Sequence, residues 1–191
     1  YLQELTGTCT ISDATLSKGS ENIARIFNST GNLVLNIGSD LTTTIFNDTQ
    51  SQNANMTTPG SLSPFRSYCF IYFATSNANA TINARNTSFL KAGTHGFKVI
   101  SDGNANVNTV NVKSCTFNND NASFSPNDQG GSIELTSFNT STMKYNILNN
   151  SCRGKDISLI NVVAQINSNA EGRINGNTVT HSGAGSAGNG I

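Results

Sequence analysis

The chain has 191 residues, 36 % of them apolar and 12 % charged, with no Trp and a formal net charge of zero. Asn (29), Ser (23) and Thr (22) together make 74 of the 191. Eleven scattered Lys and Arg balance eleven Asp and Glu, which argues against a basic nucleic-acid-binding surface and against a charge-driven disordered tail. There is no apolar run of about 18 residues to span a membrane, and Asn, Ser, Thr and Gly are poor helix formers. What remains is a β-rich, turn-rich chain with a thin core.

Tyr1 to Gly7 lacks the basic start and apolar stretch of a signal peptide. The chain then repeats itself. Six segments carry two apolar positions five residues apart: Ile11/Leu16, Leu41/Phe46, Ala84/Phe89, Val112/Phe117, Met143/Leu148 and Ile174/Val179. Before each paired segment after the opening one runs a second apolar strip: Ile23–Phe27, Tyr68–Phe73, Phe97–Ile100, Ile133–Leu135 and Ile157–Ile160. Several strips alternate with the two-residue period of a strand. Gly96, Gly131 and Gly190 stand just before strips, Gly190 before Ile191, where a left-handed corner is expected. The unit of roughly 30 residues is too short for a propeller blade and has no amphipathic helix. It predicts an all-β fold: a single-stranded parallel β-helix of about six rungs over residues 1–191, an excerpt of a longer solenoid, with an inserted edge loop over 47–67.

The pattern apolar-x-x-Asn-x-apolar in Ile174-Asn-Gly-Asn177-Thr-Val179 and Met143-Lys-Tyr-Asn146-Ile-Leu148 resembles the right-handed parallel β-helix repeat of the pectin-lyase-like superfamily. The resemblance implies a right-handed coil and an Asn ladder at a tight bend, here Asn146 with Asn177. The equivalent positions Ala14, Thr44, Thr87 and Cys115 depart from it, which limits the ladder to two rungs. A second short polar stack is expected at Asn47, Asn118 and Asn149. Phe124-Ser-Pro-Asn127 with Gly130-Gly-Ser-Ile133 resembles motifs of chlamydial polymorphic autotransporters. It supports an autotransporter-like passenger rather than that family.

Cys9, Cys69, Cys115 and Cys152 do not have zinc-knuckle spacing; they allow three disulfide pairings or four buried thiols. The eight Asn-x-Ser/Thr sequons match what composition gives by chance and say nothing about secretion. No two acids are adjacent or two apart, so the paired carboxylates of a glycoside hydrolase are not evident. Glu134 is expected to face outward beside Lys98 and Ser158. Thr94-His95-Gly96 is similar to the Gly-His-Gly of β-helix polygalacturonases but lacks their paired Asp, so His95, like His181, reads as a turn residue. Asp120, Asn127 and Asp128 do not have the spacing of a known calcium loop.

The resulting expectation is an extracellular or cell-surface adhesin or passenger segment without cofactor, metal or catalytic residues. It would bind a polysaccharide, glycan or surface protein through edge-loop residues Asn53, Asn55, Phe65, Arg66, Asn127 and Asp128. Phe65 and Arg66 are the anchors, since aromatic and Arg side chains dominate binding hot spots. The alternatives are a polysaccharide-processing enzyme or tailspike with its catalytic rungs elsewhere, and a filament subunit that associates end to end.

Overall fold

The structure, a computed structural model, describes residues 1–19, 22–48, 68–119, 131–154 and 158–182. The first sheet stacks β1 (Leu2–Gln3), β4 (Asn22–Asn28), β7 (Tyr68–Ala74), β10 (His95–Ser101), β13 (Gly131–Ser137) and β16 (Ile160–Ala164). The second stacks β2 (Gly7–Ile11), β5 (Asn32–Ile37), β8 (Asn79–Arg85), β11 (Asn106–Lys113), β14 (Thr142–Leu148) and β17 (Asn169–Asn175). The third stacks β3 (Thr15–Ser17), β6 (Thr44–Asn47), β9 (Thr87–Leu90), β12 (Thr116–Asn118), β15 (Ser151–Gly154) and β18 (Thr178–His181). Each strand pairs in parallel with the strands three before and three after it. This is a right-handed parallel β-helix of about six rungs, the hand that parallel crossovers favour.

Strand alternation builds the core. In β5 the sequence Asn32-Leu-Val-Leu-Asn-Ile37 turns Leu33, Leu35 and Ile37 inward, and β8 does the same with Ala80, Ile82 and Ala84. Small residues on the second sheet leave room for rings from the other two. Phe46, Phe89 and Phe117 stack along the third sheet with centroids 5.2 and 5.0 Å apart, and Phe70 stacks on Phe97 in the first at 5.0 Å. The two stacks meet edge to face at Phe89–Phe97, 5.7 Å. Such pairs add to the burial term itself. Gly96 belongs to this packing rather than to a left-handed corner: it lies inside β10, and a Cβ there would come within 2.7 Å of the Phe117 ring.

The register corrects the sequence alignment at two rungs. Ile37, not Leu41, pairs with Ala84, and Leu41 is 94 % exposed in the turn before β6. In the fifth rung Ile147 and Cys152, not Met143 and Leu148, continue the columns to Ile174 and Val179. Both slips are about four residues long. They occurred where a second apolar residue stood near enough to satisfy the same spacing.

Left-handed residues make the bend between the second and third sheets in every rung: Asp13, Gly38, Asn86, Ser114, Asn149 and Gly176. The ladder side chains come directly after this bend. Asn177 therefore pairs with Asn150 rather than Asn146: Asn150 Nδ2 donates to Asn177 Oδ1 at 2.8 Å and to the Val112 carbonyl at 2.9 Å. Asn150 Oδ1 accepts from Cys115 N, and Asn177 Nδ2 donates to the Ile147 carbonyl. Asn146 belongs to a longer ladder on the second sheet, with Asn36, Asn83 and Asn111. In the proposed second stack, Asn47 and Asn118 do share a column, but Leu90 stands between them, Arg153 takes the next rung and Asn149 is a bend residue.

All four cysteines are free thiols. Burial raises the pKa of Cys69, pushes Cys115 up to about 12 and takes Cys152 to about 11. Since the thiolate is the reactive species, iodoacetamide at neutral pH is expected to label only the half-buried Cys9 in the native protein and all four in denaturant. Mass spectrometry of the labelled peptides gives the count. Native labelling of Cys115 or Cys152 would mean that the rungs open readily.

Candidate functional site

Among the described residues, the outward face of the second sheet carries polar columns in register. In register across it run Asn32, Asn79, Asn106, Thr142 and Asn169. Beside them, Val34, Thr81 and Thr109 face out at equivalent positions. A third column is Asn36, Asn83, Asn111, Asn146 and Arg173. Rungs repeat at about 4.8 Å and outward side chains along a strand at about 6.6 Å, so the middle rungs of the face form a lattice of amides and hydroxyls, with Val34 at one end and Arg173 and the Lys144–Glu171 ion pair at the other.

The third column is a one-way amide chain. Asn83 Nδ2 donates to Asn36 Oδ1 at 2.9 Å, Asn111 Nδ2 to Asn83 Oδ1 at 2.8 Å and Asn146 Nδ2 to Asn111 Oδ1 at 2.9 Å. An amide has two N–H donors and two lone pairs. Asn83 and Asn111 therefore each keep one donor and one acceptor for solvent or ligand beyond the ladder bonds. The geometry also gives the ladder a measurable structural weight. Asn111→Ala breaks two bonds and is expected to cost about 1–2 kcal/mol, while Asn36→Ala breaks one and should cost about half of that in urea unfolding. Equal losses would show that the ladder bonds do not carry the effect.

A second polar assembly sits at the start of the first sheet's strands. His95 opens β10 as a buried residue rather than a turn, and β13 brings Glu134 opposite Lys98. The rung after Glu134 presents Asn161, not Ser158. Lys98 Nζ lies 3.0 Å from Glu134 Oε2 and donates to Tyr68 Oη at 3.1 Å. His95 Nδ1 is 3.2 Å from the same carboxylate oxygen but off the line of a hydrogen bond, so this contact is electrostatic and is an ion pair when the imidazole is protonated. The Tyr68 ring stacks on His95 with centroids 6.2 Å apart and lies under Lys98 Nζ at 5.0 Å. Thr136 Oγ1 donates to Glu134 Oε1 at 3.3 Å.

The side chains of His95, Lys98 and Glu134 are only 6, 14 and 16 % exposed. Burial by itself would raise the Glu134 pKa. The charges of His95 and Lys98 and the hydrogen bonds from Lys98 and Thr136 outweigh it and hold the carboxyl below its ordinary value. A carboxylate kept ionised, with both oxygens engaged, has no proton to give and little basicity to offer. The cluster is built to hold the rungs together more than to transfer protons. His181, the other predicted turn residue, closes β18 as a half-buried strand residue.

Asn53, Asn55, Phe65, Arg66, Asn127 and Asp128 all lie outside the described residues, as do Asp120 and most of the 47–67 loop. The structure instead brings together residues that the sequence did not single out for binding, the second-sheet amides and hydroxyls. Their signal was present as Asn or Thr at alternating positions of consecutive strands, but it needed the correct register to appear as columns. Comparison with known protein families, curated proteins and solved structures found no match.

Proposed function

We propose that this chain is a rigid β-helical segment of an extracellular or cell-surface protein, related in architecture to pectin-lyase-like and autotransporter passenger solenoids, that binds glycan along its second sheet. The observation that carries the reading is the lattice of outward amides and hydroxyls in register over five rungs, whose ladder members retain hydrogen-bonding capacity. Glycans offer hydroxyls that donate and accept together. A regular surface with both functions at fixed spacing suits a chain laid along the solenoid axis through many weak bonds. The three continuous sheets keep that lattice rigid, so little ordering entropy is lost on binding.

The test is retention on insoluble polysaccharides, with cellulose, chitin, mannan and xylan as the probes. Thr81 and Thr109 face out without belonging to the ladder, so Thr81→Glu with Thr109→Glu places charge and bulk on the face while sparing the ladder amides. The wild type should be retained on at least one matrix and the double variant about tenfold less. Equal retention of a folded double variant would remove the second sheet from the reading, and no retention on any matrix would remove glycan binding.

A further inference from the structure

The turn between β5 and β6 is longer than its counterparts, in which one to three residues join the second and third sheets. Residues 40–43 line one side of an open recess of about 250 Å³ whose other side comes from the two following rungs. Its lining includes Asp40, Leu41, Thr43, Asn86, Ser114 and Thr116. That volume falls just below the usual range of ligand pockets, about 300–1,000 Å³, and has room for a single ring-sized unit.

The wall is held by its own turn bonds and by the neighbouring rung. Gly38 takes φ +78°, and a Cβ there would run into the Arg85 carbonyl. Ser39 Oγ accepts from Leu41 N at 3.3 Å and Thr42 N at 3.1 Å, a turn closed by its own side chain. Asn86 Nδ2 donates to the Ser39 carbonyl at 2.9 Å, and Arg85 Nη1 pairs with Asp40 Oδ2 at 2.8 Å. These bonds place an exposed apolar side chain, Leu41, next to a carboxylate that keeps Oδ1 open to solvent.

We infer that this recess binds one neutral sugar ring, the terminal or a branching unit of the glycan that the second sheet would hold; the inference rests on that reading. Adjacent ring hydroxyls would donate to Asp40, a charge-assisted bond stronger than a neutral one. Asn86 keeps one N–H and Oδ1, and Ser114 and Thr116 add hydroxyls that donate or accept. Leu41 would cover the apolar C–H side of the ring. Asp40 is the charged residue of the lining and its cation partner Arg85 is already engaged, so a phosphate or an acidic sugar would meet a carboxylate there.

The experiment is titration calorimetry with short soluble gluco-, manno-, galacto- and xylo-oligosaccharides, run on the whole chain. Asp40→Asn keeps the shape and removes the charge, and Leu41→Ser removes the apolar cover; both positions are exposed, and thermal melts check that the fold is intact. One oligosaccharide series should bind, about tenfold weaker to Asp40→Asn and weaker to Leu41→Ser. If both variants bind like the wild type while Thr81→Glu/Thr109→Glu binds less, the recess is overturned and the face stands. If no series binds the wild type, both fall. Tighter binding of an acidic sugar to Asp40→Asn than of any neutral one to the wild type would also overturn the neutral assignment.

Discussion

Phe89→Ala is expected to destabilise the protein by about 3–5 kcal/mol, read as a lowered urea midpoint. Phe89 is fully buried at the centre of the ring stack, between Phe46 and Phe117, and meets Phe97 edge to face. Truncation removes contacts in its own rung and in the rungs on both sides. In a solenoid each rung leans only on its neighbours, so the loss should not be spread over a distant core. The melt is expected to broaden as the coupling across the third rung weakens. Leu41→Ala is the matched control. Its place in the apolar alignment would make it a core residue, yet it is almost fully exposed, so the change should stay within about 0.5 kcal/mol. Comparable losses at both positions would contradict the register of the second and third rungs.

Glu134→Gln is expected to cost about 3 kcal/mol at neutral pH, because it leaves Lys98 buried without its carboxylate partner. Glu134→Gln with Lys98→Met should recover much of this, since an uncharged pair avoids the stranded cation. The pH dependence follows from the direction of the Glu134 shift. Its folded-state pKa lies below the ordinary 4.5, so the folded state binds the proton less readily than the unfolded state. The stabilisation is complete above 4.5 and is lost as pH falls through the lower folded value. Wild-type stability should therefore fall faster than that of Glu134→Gln on acidification below pH 4.5, and the two curves should converge. Parallel curves would show that the carboxylate is not coupled to the fold.

Those two variants separate the two kinds of force in this structure. The rings hold each rung to the next without regard to direction. The ion cluster and the amide ladders are directional, and a one-residue slip would turn their side chains to the other face. The ladder Asn36–Asn83–Asn111–Asn146 spans four rungs in the middle of the chain. It ties register to hydrogen bonding on the outer face, as the alternating apolar columns tie it to burial on the inner one.

The solenoid and its rung length were legible because parallel stacking puts like residues in columns, and a column is a sequence repeat. The repeat itself marks the third-sheet apolar column at Leu16, Phe46, Phe89, Phe117 and Val179. The misreadings share one cause. In the second rung a six-residue turn separates Ile37 from Thr44, so a fixed five-residue spacing selected Leu41 instead. In the fifth rung, Met143-x-x-Asn146-x-Leu148 matched the repeat as well as Ile147-x-x-Asn150-x-Cys152 does, and only strand pairing separates them. The same spacing hides the four-rung ladder, because it places Asn146 in the neighbouring column rather than opposite Asn111.

The sequence by itself determined a charge-poor β-chain of six repeating units with a narrow apolar core, because composition and period depend on residue types and not on their partners. Only the tertiary structure decided which Asn meets which, that Lys98 and His95 of β10 converge on Glu134 of the next rung, and that Leu41 stands out over a hydroxyl-lined recess. Each of these depends on the register between strands about 30 residues apart. Turn length sets that register, and in a chain where two residues in five are Asn, Ser or Thr, turn and strand positions carry the same polar residues.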